Sequence, residues 1–199
     1  MKHINNFILI LFLLLSFSSL AKANDITEFE IEGMSVGDSL LDYFSEKEIK
    51  EEIERAAYYP NSKKFMILSL IPSDIKEYDN INFHVKSKDK KYIIHSVKGL
   101  SYLETKECLK LKKTVVSEVK DLLPNARISD HTNDYDKNLG NSKAYIHDFY
   151  ISGGIIRVFC TEWDKPFMEN EYNMAYRNSL SVNASSEELG NFIQNEAYN

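Results

Sequence analysis

A serine between two glycines is the first feature of this sequence that could do chemistry. The segment Gly33-Met34-Ser35-Val36-Gly37 has G-x-S-x-G spacing, which can present a serine nucleophile on a tight turn between a strand and a helix. Such a nucleophile normally projects from a multi-stranded sheet, and only one predicted strand precedes this segment. We therefore expect Gly33 to end the first strand and Ser35 to cap the following helix.

A run of side-chain oxygens offers a second kind of chemistry. Asp134, Asp136 and Asn138 are spaced two residues apart, like the oxygen ligands of calcium loops. Gly140 is one position late for an EF-hand, and Tyr145 stands where the bidentate Glu is needed. Asp and Asn also favour loops because they bond their own backbone. A calcium-stabilised ligand-binding protein is thus one alternative, which predicts a melting temperature raised by calcium.

The two cysteines, Cys108 and Cys160, allow one intramolecular disulfide. In an exported chain a bridge is the default state of such a pair. It would close a loop of about 50 residues and stabilise the fold by roughly 3–4 kcal/mol in the chain-entropy model. Two cysteines are too few for a structural zinc site, and a redox C-x-x-C pair is absent.

The histidines do not cluster in sequence. His84 and His95 lie on two strands that we expect to pair, but two imidazoles without a third ligand do not make a metal site. The sequence therefore predicts no metal and no cofactor.

The elements that position these residues form an α+β domain over residues 24–199. Hydrophobic periodicity predicts the order β-αα-βββ-α-βββ-α, and short hairpins require antiparallel pairing. We expect a curved antiparallel β-sheet with helices packed on one face, and a polar loop over residues 125–143. The longest helix should point Cys108 at the core. On the hairpin around Ser152-Gly153-Gly154, Arg157 should pair with Asp148 across the strands.

The N-terminus has the composition of a secretory signal peptide, residues 1–23. Lys2 is followed by an apolar run from Phe7 to Leu15 and by the small residues of Ala21-Lys22-Ala23, which predicts cleavage before Asn24. The apolar run is shorter than the ~18–20 residues of a membrane span. We expect a periplasmic or secreted location, with no membrane span after cleavage.

The formal charge of −6 limits the partners. Removing Lys2 and Lys22 with the signal peptide makes the chain still more acidic. Non-specific nucleic-acid binding needs basic surface that displaces counterions from phosphates. We therefore expect no nucleic-acid partner.

The segment Gly37-Asp38-Ser39-Leu40 resembles the first block of the GDSL-type hydrolases. The resemblance implies that Ser39 is the nucleophile of a serine esterase. No histidine here lies three residues after an aspartate, as the late D-x-x-H block of that family requires. A serine without a positioned base is a weak nucleophile, and the family's parallel sheet differs from the antiparallel sheet expected here.

Two further resemblances involve longer stretches. The segment from Phe29 to Phe44, the Cys108 helix, the glycine hairpin ending at Cys160 and the final strand and helix look like a group of uncharacterised small exported proteins of marine alphaproteobacteria. This resemblance implies no function.

The strand followed by Gly33, Met34 and Ser35, and then by helices and a sheet, is similar to the β-lactamase-inhibitor-like fold. That fold includes the small lipoprotein of the outer-membrane barrel assembly machinery. This resemblance implies a binding surface on a sheet, although the lipidated cysteine of that lipoprotein is missing here.

The sequence thus favours an exported, non-enzymatic binding module whose partner is a protein or a component of the cell envelope. The alternatives are the esterase that uses Ser39 and the calcium-stabilised protein that uses Asp134, Asp136 and Asn138.

Overall fold

The computed structural model describes residues 23–73, 75, 77–168 and 177–198. The predicted signal peptide falls outside the described residues except for Ala23. In the described part of the chain, no helix is long and apolar enough to cross a membrane.

The N-terminal region consists of short elements with capped ends. In chain order they are a 3-10 turn (Ile26–Glu28), β1 (Glu30–Ile31), β2 (Met34–Ser35), a second 3-10 turn (Leu40–Asp42) and helix α1 (Glu46–Ile53). Glu32 and Gly33 have positive φ at the β1–β2 turn. Ser45 caps α1, and its backbone N–H donates to the Glu48 carboxylate. These reciprocal bonds satisfy N–H groups that a helix start leaves free.

Eight strands form one open antiparallel sheet. They are β3 (Ala57–Tyr59), β4 (Ser62–Ser69), β5 (Asn80–Lys86), β6 (Ile94–Tyr102), β7 (Arg127–Asp134), β8 (Lys143–Ile151), β9 (Gly154–Glu162) and β10 (Ser179–Ser186). The remaining helices are α2 (Thr105–Leu122), α3 (Lys165–Met168) and α4 (Glu187–Asn195). The spatial order is β3-β4-β5-β6-β10-β9-β8-β7. Two four-strand meanders therefore meet at β6 and β10. The predicted class, α+β with helices packed on a curved antiparallel sheet, is confirmed.

The main hydrophobic core lies between one face of this sheet and the elements packed on it. Helix α2 contacts β9 and β10, and the Cys108–Cys160 disulfide joins α2 to β9 with 6.0 Å between the Cα atoms. Both cysteines are fully buried. The predicted disulfide and the predicted direction of Cys108 are confirmed.

A smaller hydrophobic cluster covers one end of the opposite face. Phe65 of β4 packs on Phe192 of α4, with ring centroids 4.9 Å apart, and Tyr59, Leu189 and Ala197 complete the cluster. The side chains of Met66 and Leu68 alternate with that of Phe65 and join the main core instead. Helix α4 therefore adds a second layer over this end of the face.

The loop expected over residues 125–143 contains the edge strand β7. Its eight residues pair with β8 on one side only, and none of them is buried. Polar residues are common on edge strands because they discourage pairing with other chains. Because β7 has no apolar face, hydrophobic periodicity does not predict this strand.

Helix α1 ends at Ile53, although the spacing of Ile49, Ile53 and Ala57 and the stop signal at Pro60 predict a longer helix. Ala57 belongs to β3 and pairs with Ile67 of β4. Pairing with the sheet therefore overrides the weak helical pattern in this segment.

Candidate functional site

A row of polar side chains crosses the middle of the sheet. Asn82 of β5, Lys98 of β6, Asn183 of β10, Arg157 of β9 and Asp148 of β8 are consecutive partners in the strand register. Direct partners in an antiparallel pair lie on one face of the sheet. We call this set the polar row, and the face that carries it the polar face.

The other face of the same strands is apolar. On β5, Ile81, Phe83 and Val85 alternate with the polar residues and are completely buried in the main core. The fold is therefore stabilised largely from that face, so the polar row is not required to build the core.

The polar face is recessed. Ser96 and Ser181 belong to it, and they are only 0% and 1% exposed. Ser96 donates to Asn183 Oδ1 at 2.6 Å, Asn183 Nδ2 donates to Ser185 Oγ at 3.0 Å, and Ser185 Oγ donates to Ser96 Oγ at 3.0 Å. This closed ring of hydrogen bonds holds the three side chains in place and engages both the oxygen and the NH2 group of the Asn183 amide.

Arg157 and Asp148 form a bidentate ion pair at one end of the polar row. Arg157 Nε and Nη2 donate to the two Asp148 oxygens at 2.7 and 2.9 Å. The Asp148 side chain is completely buried, whereas that of Arg157 is 38% exposed. The hydrogen bond to Asp148 raises the pKa of Arg157. The predicted cross-strand contact is confirmed.

His84 lies beside Asn82 on the polar face. Burial and the nearby charge of Lys98 lower the pKa of His84 to about 3, so the imidazole is neutral at ordinary pH. Its buried Nδ1 has no hydrogen-bond partner among the described residues. An unsatisfied buried nitrogen is uncommon in native proteins and can mark the position of a missing ligand or water.

Lys98 is the second residue of the polar row, between Asn82 and Asn183, and is only partly exposed. Burial lowers the pKa of its ammonium group. Its direct partners in the sheet are Asn82 and Asn183, which are both uncharged.

Two grooves lie near the polar face. One, of about 430 Å³, runs between α4 and strands β8 and β9, where Gly190 faces Tyr150 and Ile155. The other, of about 390 Å³, is lined by Lys63, Lys64, Lys86 and Lys88. In this basic groove, Lys64 and Lys86 pair with Glu196 and Glu188 of the C-terminal segment.

Ser39, the nucleophile implied by the GDSL resemblance, caps the second 3-10 turn. Its hydroxyl donates to the Lys91 carbonyl at 2.6 Å and accepts from the Leu41 N–H at 3.1 Å. The neighbouring Asp38 carboxylate accepts from the Ser35 N–H and the Tyr43 hydroxyl at 2.8 and 2.6 Å. These bonds direct the Ser39 proton to a backbone carbonyl, and they give Asp38 a structural role.

Ser35 does not cap a helix, contrary to the expectation from the G-x-S-x-G pattern. It lies in β2 and is buried, and its hydroxyl donates to the Phe29 carbonyl at 3.4 Å. The segment folds as a hairpin because Glu32 and Gly33 turn the chain. Capping begins four residues later, at Ser39.

Of the proposed calcium ligands, Asp134 ends strand β7, and Asp136 and Asn138 lie on the exposed turn that follows. Asp134 Oδ1 is 3.8 Å from Lys143 Nζ, and Asp136 Oδ1 accepts from the Asn138 backbone N–H at 2.9 Å. Asp136 caps the 3-10 turn Lys137–Leu139. Two of the three side chains therefore already contact groups of this protein.

The other histidines have local partners. His95 Nδ1 lies 3.3 Å from Ser186 Oγ and 3.7 Å from Glu188 at the start of α4, and burial lowers its pKa. His147 Nδ1 lies 3.4 Å from Asp130, whereas its buried Nε2, like His84 Nδ1, has no hydrogen-bond partner among the described residues. Across the residues that the structure describes, no group of three or more His, Cys, Asp or Glu side chains is arranged to hold a metal ion.

No protein-family model matches this chain, and neither a curated protein nor a solved structure is significantly similar to it. The polar face is therefore the feature of this molecule from which a function can be inferred.

The sequence alone did not identify Asn82, Lys98 and Asn183 as site residues. A signal for them exists, because polar residues occupy every second position of β10, from Ser179 to Ser185, and of the first half of β5. Only the strand register shows that Lys98 of β6 lies between the polar residues of β5 and those of β10.

Proposed function

We propose that this protein is an exported, non-enzymatic binding module of the cell envelope, and that the polar face recognises a protein or another envelope component. The observation that carries this proposal is the contrast between the two faces of the sheet. One face forms the core, while the other presents an ordered, recessed row of hydrogen-bonding side chains.

A solvated face of an antiparallel sheet usually carries exposed polar side chains. Here several polar side chains are shielded from water, such as Ser96 at 0% exposure. Burying polar groups costs free energy unless they are hydrogen-bonded. Fixed donors and acceptors in a recess are suited to recognising a ligand because little ordering is needed when it binds.

Export is supported by the composition of residues 1–23 and by the Cys108–Cys160 disulfide, because disulfides persist in oxidising compartments. A binding role is supported over ester hydrolysis by the Ser39 hydroxyl, which donates to a carbonyl rather than to a base. A binding surface on a sheet is also what the resemblance to the β-lactamase-inhibitor-like fold implies.

Two matched leucine variants test this proposal. Leu100 is a partly exposed residue of the polar face, and Leu41 is 43% exposed on the second 3-10 turn. We expect the immobilised wild-type protein and Leu41→Glu to capture the same component from an envelope extract, and Leu100→Glu to lose it. Equal capture by Leu100→Glu, or no capture above a blank support by the wild type, would contradict the proposal.

A further inference from the structure

The ammonium group of Lys98 is a cation without a counterion. Among the described residues, no carboxylate lies within ion-pair distance of it and no acceptor receives its hydrogen bonds. Arg157, two strands away in the same polar row, has the opposite arrangement because it is held by both oxygens of Asp148. The polar row thus contains one cation with a carboxylate partner, Arg157, and one without such a partner, Lys98.

An unpaired charge in this position is costly. Burial penalises the charged form of Lys98 and lowers its pKa, and a desolvated charge needs a partner to offset that penalty. The carboxylate of Asp148 is fully engaged elsewhere. The described residues therefore leave this partly exposed charge to solvent or to a bound anion.

The groups around Lys98 are uncharged and can donate hydrogen bonds. Asn82 stands directly opposite Lys98, so their Cβ atoms are about 4.5–5.5 Å apart. Its carbonyl oxygen accepts from Asn80 Nδ2 at 3.4 Å, while its own NH2 group has no acceptor among the described residues. His84 follows two positions later on the same face and has an unpartnered, buried Nδ1.

Other acceptors nearby are already occupied. The oxygen of the Asn183 amide receives the Ser96 hydroxyl, and the Ser185 hydroxyl receives the amide NH2 group. The ring therefore does not compete for the protons of Lys98 and Asn82. The cluster consists of one cation and two neutral donors, which matches a single anionic group.

We propose that Lys98, Asn82 and His84 form a subsite for one anionic group, a carboxylate, phosphate or sulfate, of the ligand that binds the polar face. This inference rests on the proposed function and specifies its chemistry. The ammonium group supplies the charge, and the amide and imidazole N–H groups direct the oxygens of the anion.

The basic groove is the competing anion site on this molecule. Lys88 is exposed there, whereas Lys64 and Lys86 have carboxylate partners. A groove of surface lysines binds anions without a preferred geometry and with strong dependence on salt. Variants at Lys98 and Lys88 therefore separate the two sites.

Calorimetric titration of the purified protein with sodium acetate, sodium phosphate and sodium sulfate, at constant ionic strength, tests the subsite. We expect saturable binding of at least one of these anions at one site, weakened at least tenfold by Lys98→Met. Lys88→Met and the exposed α2 variant Lys113→Met, which remove the same charge, should bind like the wild type. The preferred anion distinguishes a carboxylate-bearing ligand from a phosphorylated or sulfated one.

Asn82→Asp provides a second test that does not depend on Lys98→Met folding. The new carboxylate faces Lys98 directly and should take the place of the anion, so binding should fall at least tenfold. No saturable binding to the wild type, unchanged binding in both variants, or loss of binding in Lys88→Met alone would overturn the subsite. The capture experiment with Leu100→Glu is independent of these titrations, so a failed subsite and a failed polar face give different results.

Discussion

Replacing Lys98 by Met should make the free protein more stable. Methionine keeps an unbranched apolar side chain at this position and removes the ammonium group, which has no partner in the described chain. Leaving a fully buried polar group unsatisfied costs about 1–3 kcal/mol, and Lys98 bears only part of this cost because its side chain is partly exposed. We therefore expect the free energy of unfolding of Lys98→Met to exceed that of the wild type by about 1 kcal/mol, or about 2–4 °C in melting temperature.

The pH dependence of this difference has a definite sign. Burial places the pKa of Lys98 in the folded state below its unfolded value of about 10.4. Below both values the lysine is charged in both states, and the folded state bears the full desolvation penalty. As the pH rises through the folded pKa toward the unfolded one, the folded lysine loses its proton first and the penalty disappears. The advantage of Lys98→Met should therefore shrink at alkaline pH.

Urea unfolding at pH 7 and pH 10 measures both effects. Lys113→Met is the matched control, because Lys113 is exposed on α2 and its loss should change stability by no more than about 0.5 kcal/mol. A Lys98→Met variant that is less stable than the wild type at pH 7 would refute the reasoning, since it would mean that the ammonium group already has a stabilising partner. A difference that grows with pH would refute the assigned pKa direction.

Three further results are expected. Arg157→Met should lower the free energy of unfolding by about 3–5 kcal/mol, because it leaves the buried carboxylate of Asp148 unpaired; adding Asp148→Leu should recover most of this loss in urea unfolding. The double variant Cys108→Ala/Cys160→Ala should lose about 4 kcal/mol in the same assay, since the disulfide spans 52 residues, and a loss below about 1 kcal/mol would show that the crosslink does not constrain the unfolded chain. Ser39 should not react with a fluorophosphonate probe, because its hydroxyl is bonded to a backbone carbonyl; labelling that Ser39→Ala abolishes would restore the esterase hypothesis.

Local patterns predicted much of the fold. Ser152 and Gly153 join β8 to β9, as the small residues at this turn indicated. The apolar spacing of the long helix placed Cys108 on its buried face, and Cys160 was the only other cysteine available to pair with it. Both features depend on neighbours in sequence or on a single possible pairing, so one chain contains enough information to predict them.

Elements whose stability comes from the sheet were missed. Strand β7, Arg127–Asp134, has no apolar face, and β3, Ala57–Tyr59, has only three residues. Each is defined by hydrogen bonds to one neighbouring strand, which a sequence pattern does not record. The same limit applied to Ser35, because the β1–β2 hairpin removed it from the helix start that its position indicated.

The candidate site was hidden for a related reason. Asn82, Lys98 and Asn183 come from three strands separated by long stretches of chain, and each appears in sequence as an ordinary polar strand residue. Their arrangement depends on the pairing of β6 with both β5 and β10. The lack of a counterion for Lys98 is likewise a property of the three-dimensional structure.

The most direct measurement is a map of backbone amide shifts in 1H–15N NMR spectra while the chain of residues 24–199 is titrated with phosphate, sulfate or acetate. Recognition through the polar face predicts that the largest shifts cluster on β5, β6 and β10 around Lys98, with little change along α2. Shifts that instead cluster around Lys63 and Lys88, or a spectrum unaffected by every anion, would contradict the anion subsite at the centre of this account.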